Sequence, residues 1–231
     1  YKLIKNLIMK NFLKLIILSI LMMSCTESLN NIEQYSIETL MSNNRTSGGY
    51  FSKDANKLIY SSDKSGIFNI YEVDLKTNEE IQLTDSKEES FFARGYSPTT
   101  GEVIYSADKG GNENSHIYII RDGKSIDLTP GKNTKASFFG WTKDELEMYV
   151  ISNSRDPRFF DLYKINIKTL SSEMVFKNDR GYNINSISNN DNYLVLSLNI
   201  SRSEQKLFLF DVKSTQQIEI SNQVANFSGQ N

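Results

Sequence analysis

The sequence has little of several residue types on which common protein chemistries depend. Its 231 residues include one cysteine and one histidine. A disulfide framework or a thiolate cluster needs several cysteines, and a zinc enzyme needs several histidine or cysteine ligands, so these classes are excluded. The formal net charge is -2, from 26 basic and 28 acidic side chains, which provides no strongly basic field to attract nucleic acid. We therefore expect no metal, no cofactor and no nucleic-acid partner.

Proline and glycine are also scarce. The sequence has three prolines and 12 glycines, and they do not cluster into a linker. Hydrophobic residues make up 39% and aromatic residues 11%, which is ordinary for a globular protein and excludes a disordered chain. The length suits one large all-β domain or two small ones. The composition favours a single folded body.

The first 25 residues differ in composition from the rest. The charged residues before Cys25 are all lysines, namely Lys2, Lys5, Lys10 and Lys14. A stretch of nine residues follows, from Leu15 to Met23, and it is apolar apart from Ser19. A basic start, a short apolar middle and a small residue before the break are typical of a secretory signal, so residues 1–25 are predicted to be one. A membrane-spanning anchor is the less favoured alternative, because a spanning helix needs about 20 apolar residues.

The single cysteine stands at the end of this signal. The run from Met22 to Cys25 resembles a bacterial lipobox. This resemblance implies that Cys25 receives diacylglycerol and tethers the protein to a membrane, and Thr26 after it is similar to the residue in lipoproteins sorted to an outer membrane. We therefore expect an exported protein, periplasmic or tethered to the outer membrane. An ordinary cleaved signal with an incidental cysteine is the alternative. Without the signal lysines, 22 bases remain against 28 acids, a net charge of -6.

The rest of the sequence repeats at intervals of about 45 residues, and four columns of the repeat keep their phase. The first column is an aromatic or apolar residue before a hydroxyl residue and a polar turn, at Phe51, Tyr96, Trp141 and Ile187. The second closes a short apolar run, at Asp63, Asp108, Asn153 and Asn199. The third column begins with an apolar residue, at Ile70, Ile117, Leu162 and Leu207. The fourth also begins with an apolar residue, at Leu83, Leu128, Val175 and Ile220.

Each copy of the repeat reads as four short strands separated by polar turns. Four antiparallel strands in about 45 residues have the size of one β-propeller blade. The sequence therefore predicts an all-β fold with four blades, over 46–90, 91–135, 136–181 and 182–224. Residues 26–45 form a lead-in segment, and residues 225–231 are expected to begin a further, truncated blade. A β-sandwich with evenly spaced strands is the alternative.

Two segments carry a resemblance to a known family. The segment from Gly49 to Asp63 resembles the FSPDG-K-I-Y-SD signature of TolB-like propeller repeats. The turn from Asp108 to Glu113, followed by His116-Ile117-Tyr118, is similar to one in the N-terminal propellers of prolyl oligopeptidase-family serine peptidases. The resemblance covers residues 33–224 and is closest to the dipeptidyl and acylaminoacyl peptidase branches.

This resemblance implies a function that depends on a second domain. In the family, a C-terminal α/β-hydrolase domain supplies a Ser-Asp-His triad, with the serine in a G-x-S-x-G elbow. These 231 residues contain no G-x-S-x-G. We therefore expect that this chain alone hydrolyses nothing, and that it admits and orients peptide substrates for a hydrolase domain outside it. The alternative is a stand-alone TolB-like lipoprotein propeller that binds protein partners without catalysis.

Three side chains are candidates for substrate binding. Glu113, in a Gly-Gly-Asn-Glu turn, is expected to reach the central cavity and bind a peptide amine, or else to be a solvated turn carboxylate. Arg94 and Arg155 are expected in loops, where they would bind a substrate carboxylate or carbonyls, or else be ordinary surface residues. His116 is expected to face solvent or cap a turn. The repeated tyrosines are predicted to lie in the blade cores, namely Tyr60, Tyr71, Tyr105, Tyr118 and Tyr163.

Overall fold

The structure is a computed structural model that describes residues 35–221. The chain divides into two compact units, Tyr1–Asn43 and Asn44–Asn231. In the first, helix α1 (Ile37–Met41) is capped by Ser36, whose Oγ accepts a hydrogen bond of 3.2 Å from the Thr39 amide. The predicted signal with Cys25 and the predicted further blade at 225–231 lie outside the described residues. In the described part, no helix is long and apolar enough to cross a membrane.

Over residues 44–221, the second unit contains sixteen strands in four antiparallel sheets, each with its strands in sequence order or its reverse. The first blade contains β1 (Thr46–Phe51), β2 (Lys57–Ser62), β3 (Asn69–Asp74) and β4 (Glu80–Gln82), and the second contains β5 (Phe91–Tyr96), β6 (Val103–Ala107), β7 (His116–Arg121) and β8 (Lys124–Asp127). The third contains β9 (Ala136–Trp141), β10 (Glu147–Asp156), β11 (Phe159–Asn166) and β12 (Ser172–Phe176), and the fourth contains β13 (Asn183–Ile187), β14 (Tyr193–Asn199), β15 (Gln205–Asp211) and β16 (Gln217–Glu219).

This architecture confirms the predicted fold class of four four-stranded blades. The β-sandwich alternative is wrong, because the strands form four separate sheets of consecutive strands and not two facing layers. The exact blade boundaries stay a prediction.

Each residue of the first repeat column ends the first strand of its blade, and the hydroxyl residue and polar turn after it connect that strand to the second. In the first blade, the Ser52 hydroxyl donates to Asp54 Oδ1 at 2.7 Å and accepts from the Lys57 amide at 2.9 Å. Thr142 and Asp144 make the same 2.7 Å contact in the third blade. A side chain that bonds to its own turn stabilises a tight connection, which is why a hydroxyl residue recurs there.

The hydrophobic core consists of three layers, each between two neighbouring blades. The layer between the first and second blades includes Ile59 and Tyr105, the next includes Ile119 and Met148, and the last includes Leu162 and Leu196. Among the five repeated tyrosines, Tyr71 and Tyr105 are buried and the other three are half-buried. Each of the first three blades therefore buries apolar side chains against the next blade along the chain, as expected of a repeat protein.

Polar contacts also join neighbouring blades. The Tyr96 hydroxyl donates to Glu72 Oε2 at 2.8 Å, from the second blade to the first. Burial, together with this hydrogen bond, raises the pKa of Tyr96 well above its usual value. Arg121 pairs with Glu102 in its own blade and donates to the Ile167 carbonyl of the third blade at 2.7 Å. These bonds hold adjacent blades at a fixed separation.

Candidate functional site

The first strand of each blade is interrupted at the same repeat position. In a propeller these strands lie around the central channel, and each is hydrogen-bonded within its sheet on one side only. The pairing of each first strand with the second shifts at a β-bulge. The residues without a partner at these bulges are spaced by 45, 45 and 46 residues, at Gly49 (together with Gly48), Arg94, Phe139 and Asn185. Bulges re-aim side chains and are over-represented beside active sites, so this column is where channel-facing chemistry is expected.

This bulge column was missed in the sequence, although a signal for it exists. Each member stands two residues before the first repeat column, at Phe51, Tyr96, Trp141 and Ile187. Because the residue type differs in every copy, no shared residue type marks the column in the sequence. Only its constant offset marks it.

Arg94 is the charged member of this column. It lies in strand β5 and not in a loop as predicted, because the bulge places it within the strand. Its side chain is exposed, and Nε donates to the buried Ser106 hydroxyl at 2.9 Å. In the fourth blade, Asn185 is held in the same way, since its Oδ1 accepts from the Ser197 hydroxyl at 3.3 Å. Within residues 35–221, Arg94 forms no ion pair.

Arg94 lines a cavity of about 410 Å³ formed by the first three blades. The other lining residues are aromatic, small or basic, namely Tyr50, Ser106, Ser115, Lys135, Ala136, Ser137, Phe138 and Phe160. Phe160 also lines an adjoining cavity of about 320 Å³ towards the fourth blade. The two cavities share Phe160, and their linings include the starts of β9 and β13; together they are called the Arg94 groove here. The charged residues that line its first cavity are Arg94 and Lys135.

Glu113 occupies a different place. It lies exposed in the turn between β6 and β7, and its amide donates to Asp108 Oδ2 at 2.9 Å. It has a positive φ of 59°, which closes this tight turn. Glu113 is not among the residues that line the Arg94 cavity. Its predicted role in binding a peptide amine stays a prediction.

Arg155 lies at the end of β10 and is held by acidic groups. Its guanidinium donates twice to Asp161, from Nε at 2.7 Å and from Nη2 at 2.8 Å, and Nη1 lies 3.2 Å from Asp179. The hydrogen bonds to Asp161 raise the pKa of Arg155 above its usual range. The donors of this arginine are thus occupied within the blade, whereas Arg94 donates from Nε to Ser106 and lines a cavity. The predicted role of Arg155 in substrate binding stays a prediction.

A second polar column was also missed. The residue directly before the third repeat column is polar in all four copies, namely Asn69, His116, Asp161 and Lys206. Asn69 and Asp161 are fully buried. His116 is half-buried rather than solvent-facing, because its Nδ1 lies 2.7 Å from Asp127 Oδ2 on the outer strand. Each member bonds to the segment that follows it in the blade, so the column has a structural role.

The described residues 35–221 contain no group of three or more His, Cys, Asp or Glu side chains placed to hold a metal ion. The arrangement around Arg94 instead offers hydrogen-bond donors, hydroxyl groups and aromatic surface. Such a set can bind and orient a ligand.

Comparison with known proteins identifies the fold. No protein-family model matches the sequence, and neither does any curated protein. Among solved structures, TolB from Acinetobacter baumannii is 18% identical with a TM-score of 0.53, over 77% of this chain and 43% of that one. Oligogalacturonate lyase in complex with manganese is 13% identical with a TM-score of 0.57, over 76% of this chain and 53% of that one. A puromycin-hydrolyzing peptidase from Mycobacterium tuberculosis is 13% identical with a TM-score of 0.54, over 77% of this chain and 31% of that one.

These likenesses define the class of protein as the β-propellers. Within that class, the chain has the fold of TolB and of the propeller parts of prolyl peptidases, which confirms the resemblance seen in the sequence at the level of fold. The chain spans about half or less of the length of the three structures above.

Proposed function

We propose that this chain is the exported propeller portion of a prolyl oligopeptidase-family serine peptidase. In this role the propeller performs no chemistry. It admits short or unfolded peptides to a hydrolase domain outside these residues and holds them in a productive orientation. A lipid on Cys25 tethers the protein to the membrane, on its periplasmic side or at the outer membrane.

The observation that carries the proposal is the Arg94 groove. It lies along the first strands of the blades, where a peptide passing through the channel of a propeller would travel. Its aromatic and hydroxyl surface suits a peptide, which presents apolar side chains and amide groups alternately. Holding a substrate in a near-attack orientation lowers the barrier of a reaction catalysed by another domain, so a binding groove contributes to turnover. The fold shared with a puromycin-hydrolyzing peptidase supports the same reading.

The second candidate is a stand-alone TolB-like lipoprotein that binds protein partners and catalyses nothing. The likeness to TolB from Acinetobacter baumannii favours it, since that match has the highest identity of the three given above. In this case the groove would bind a segment of a partner protein. Both candidates share an exported propeller with a peptide-binding groove, and they differ in whether a hydrolase domain acts on the bound peptide.

The deciding experiment starts from the DNA that flanks the coding segment. We expect a downstream region of about 250 residues with a G-x-S-x-G elbow in the same reading frame. The protein from the complete frame should then react with a fluorophosphonate probe and cleave short peptides but not folded proteins. A stop codon after one or two more blades would refute the peptidase proposal and support the binding propeller. A hydrolase domain that cleaves folded and unfolded substrates equally would refute the gating role.

A further inference from the structure

The cavity at Arg94 carries two positive charges and no negative one. Its nine lining residues include Arg94 and Lys135 but no aspartate or glutamate. Neither side chain forms an ion pair within residues 35–221, whereas Arg45, Arg121 and Arg155 each contact a carboxylate. Two unpaired cations on one concave surface favour an anionic ligand, because the field of each adds to that of the other.

The hydrogen bond made by Arg94 leaves the two Nη atoms of its guanidinium, which form a planar fork, available to a ligand. Nε is used by the Ser106 hydroxyl at 2.9 Å, which holds the guanidinium in one orientation. The donors on the two Nη atoms remain, and these can bind both oxygens of a carboxylate. A planar, pre-oriented fork loses little freedom on binding, so arginine suits this role better than lysine.

Lys135 is held at its backbone by Asn153 of the third blade. Its amide donates to Asn153 Oδ1 at 2.6 Å, and its carbonyl accepts from the Asn153 amide at 3.1 Å. These two bonds anchor the residue just before β9, while its exposed side chain extends along the cavity. Lys135 therefore supplies a second positive charge from a residue whose backbone is fixed.

The remaining walls define what accompanies the anion. Tyr50, Phe138 and Phe160 contribute aromatic surface, and Ser115 and Ser137 contribute hydroxyl groups. Strand β9 also has one edge without a partner strand. The Ala136 amide at its start donates to the Ser115 carbonyl at 2.7 Å, and the backbone further along the edge can bond to an amide. A ligand that satisfies all three features has a carboxylate, an apolar side chain beside it and an amide next to that. The C-terminal end of a peptide has this composition.

We infer that Arg94 and Lys135 form a subsite for the free C-terminal carboxylate of a peptide whose last side chain is apolar. This inference rests on the proposed function, because it assigns the end of the peptide that the groove holds. A peptide bound in this way is read from its C-terminus, and a chain without a free end, such as a loop of a folded protein, does not fit.

The test compares acetyl-alanyl-alanyl-phenylalanine with its C-terminal amide on the full chain. Dissociation constants come from calorimetry, and the fluorescence of Trp141 gives a second signal, since its ring lies 5.5 Å from that of Phe138. We expect the acid to bind about tenfold more tightly than the amide, as removal of a charge-assisted bond implies. Arg94→Gln should remove this difference, and Lys135→Gln should reduce it. Arg202→Gln and Lys168→Gln, at exposed cations outside the cavity, serve as matched controls and should leave it unchanged.

The outcomes separate this inference from the proposed function. If acid and amide bind equally and Arg94→Gln has no effect, the carboxylate subsite is refuted while peptide binding stands. If neither peptide binds, both are refuted. A trigalacturonate that binds through Arg94 when the peptide acid does not would refute the peptide assignment in favour of a sugar acid. Lys135→Gln gives the same test if circular dichroism shows that Arg94→Gln does not fold.

Discussion

Arg155 and Asp161 face each other across the β10–β11 hairpin through two hydrogen bonds, and the side chain of Asp161 is completely buried. Oδ1 of Asp161 also accepts from the Asn178 amide at 2.7 Å. One carboxylate therefore joins the hairpin to the segment that leads into the fourth blade. A buried charge in such a position depends on its partners, because the interior does not solvate it.

Replacing this carboxylate should destabilise the protein. We expect Asp161→Asn to lower the free energy of unfolding by about 2 kcal/mol, since it removes charge-assisted hydrogen bonds from a buried position. Urea denaturation measures the change. Asp156→Asn, which breaks the neighbouring pair with the exposed Arg158, is the matched control and should have a clearly smaller effect. Equal effects of the two variants would contradict the assigned role of Asp161.

The core layer between the second and third blades provides a test of inter-blade packing. Met148 is fully buried there, whereas Met174 on outer strand β12 is 38% exposed. We expect Met148→Ala to cost about 2–5 kcal/mol of unfolding free energy, because it removes buried apolar surface and leaves a cavity. Met174→Ala should cost less than about 1 kcal/mol. Thermal or urea unfolding of both variants decides, and a similar cost at the two sites would rule out the layered core.

Gly95 and Gly140 occupy equivalent positions after the bulges of β5 and β9, but their backbones differ. Gly95 has a φ of +137°, where an L side chain is strained, and Gly140 has no such φ. We expect Gly95→Ala to destabilise the fold by about 1–3 kcal/mol through backbone strain. Gly140→Ala should stay within about 0.5 kcal/mol, because no atom lies within 4 Å of the added methyl group. Calorimetry measures the melting temperatures of the two variants. A lower melting temperature for Gly140→Ala than for Gly95→Ala would show that the bulge geometry is wrong.

Alkaline pH should weaken the fold through buried and half-buried tyrosines. Burial raises the pKa of Tyr118 to about 12 and that of Tyr96 and Tyr149 further. The stability from Tyr118 is complete below pH 10, because the phenol is then protonated in both states. It is lost as the pH rises from 10 to 12, where the unfolded chain ionises first, at up to about 1.4 kcal/mol per pH unit.

Absorbance at 295 nm and circular dichroism, followed together from pH 9 to 13, measure this loss. The ionisation of the buried phenols should coincide with unfolding. Tyr118→Phe should flatten the dependence of unfolding free energy on pH in this range. Tyr193→Phe, at a ring that is 40% exposed, is the control. Titration of every tyrosine near pH 10 without any loss of structure would contradict the burial described here.

The blades could be predicted from the sequence because their restraints are local. A turn such as Ser52 to Asp54 bonds to itself, and strand alternation follows within a few residues, so each repeat copy carries its own signal. Such signals multiply over four copies. This is why the strand columns, the polar turns and the burial of Tyr71 and Tyr105 follow from the pattern.

The site was predicted only in part, because it depends on contacts between blades. Arg94 could be named from the sequence as a candidate for binding a substrate carboxylate, but its place at a bulge depends on a shift in strand pairing that leaves no trace in the composition. Lys135 is 41 residues away in the sequence and in an unremarkable polar segment. Only the packing of the third blade beside the second brings it to the same cavity.

The sequential strand order within each sheet has a consequence for how the chain is made. Every blade completes its backbone pairing within about 40 consecutive residues, from β1 to β4 and again in each copy. The strands of one blade can therefore pair before the next blade has been synthesised, and the blade then offers an apolar face to the next. We therefore expect a newly synthesised blade to expose this apolar face until the next blade covers it.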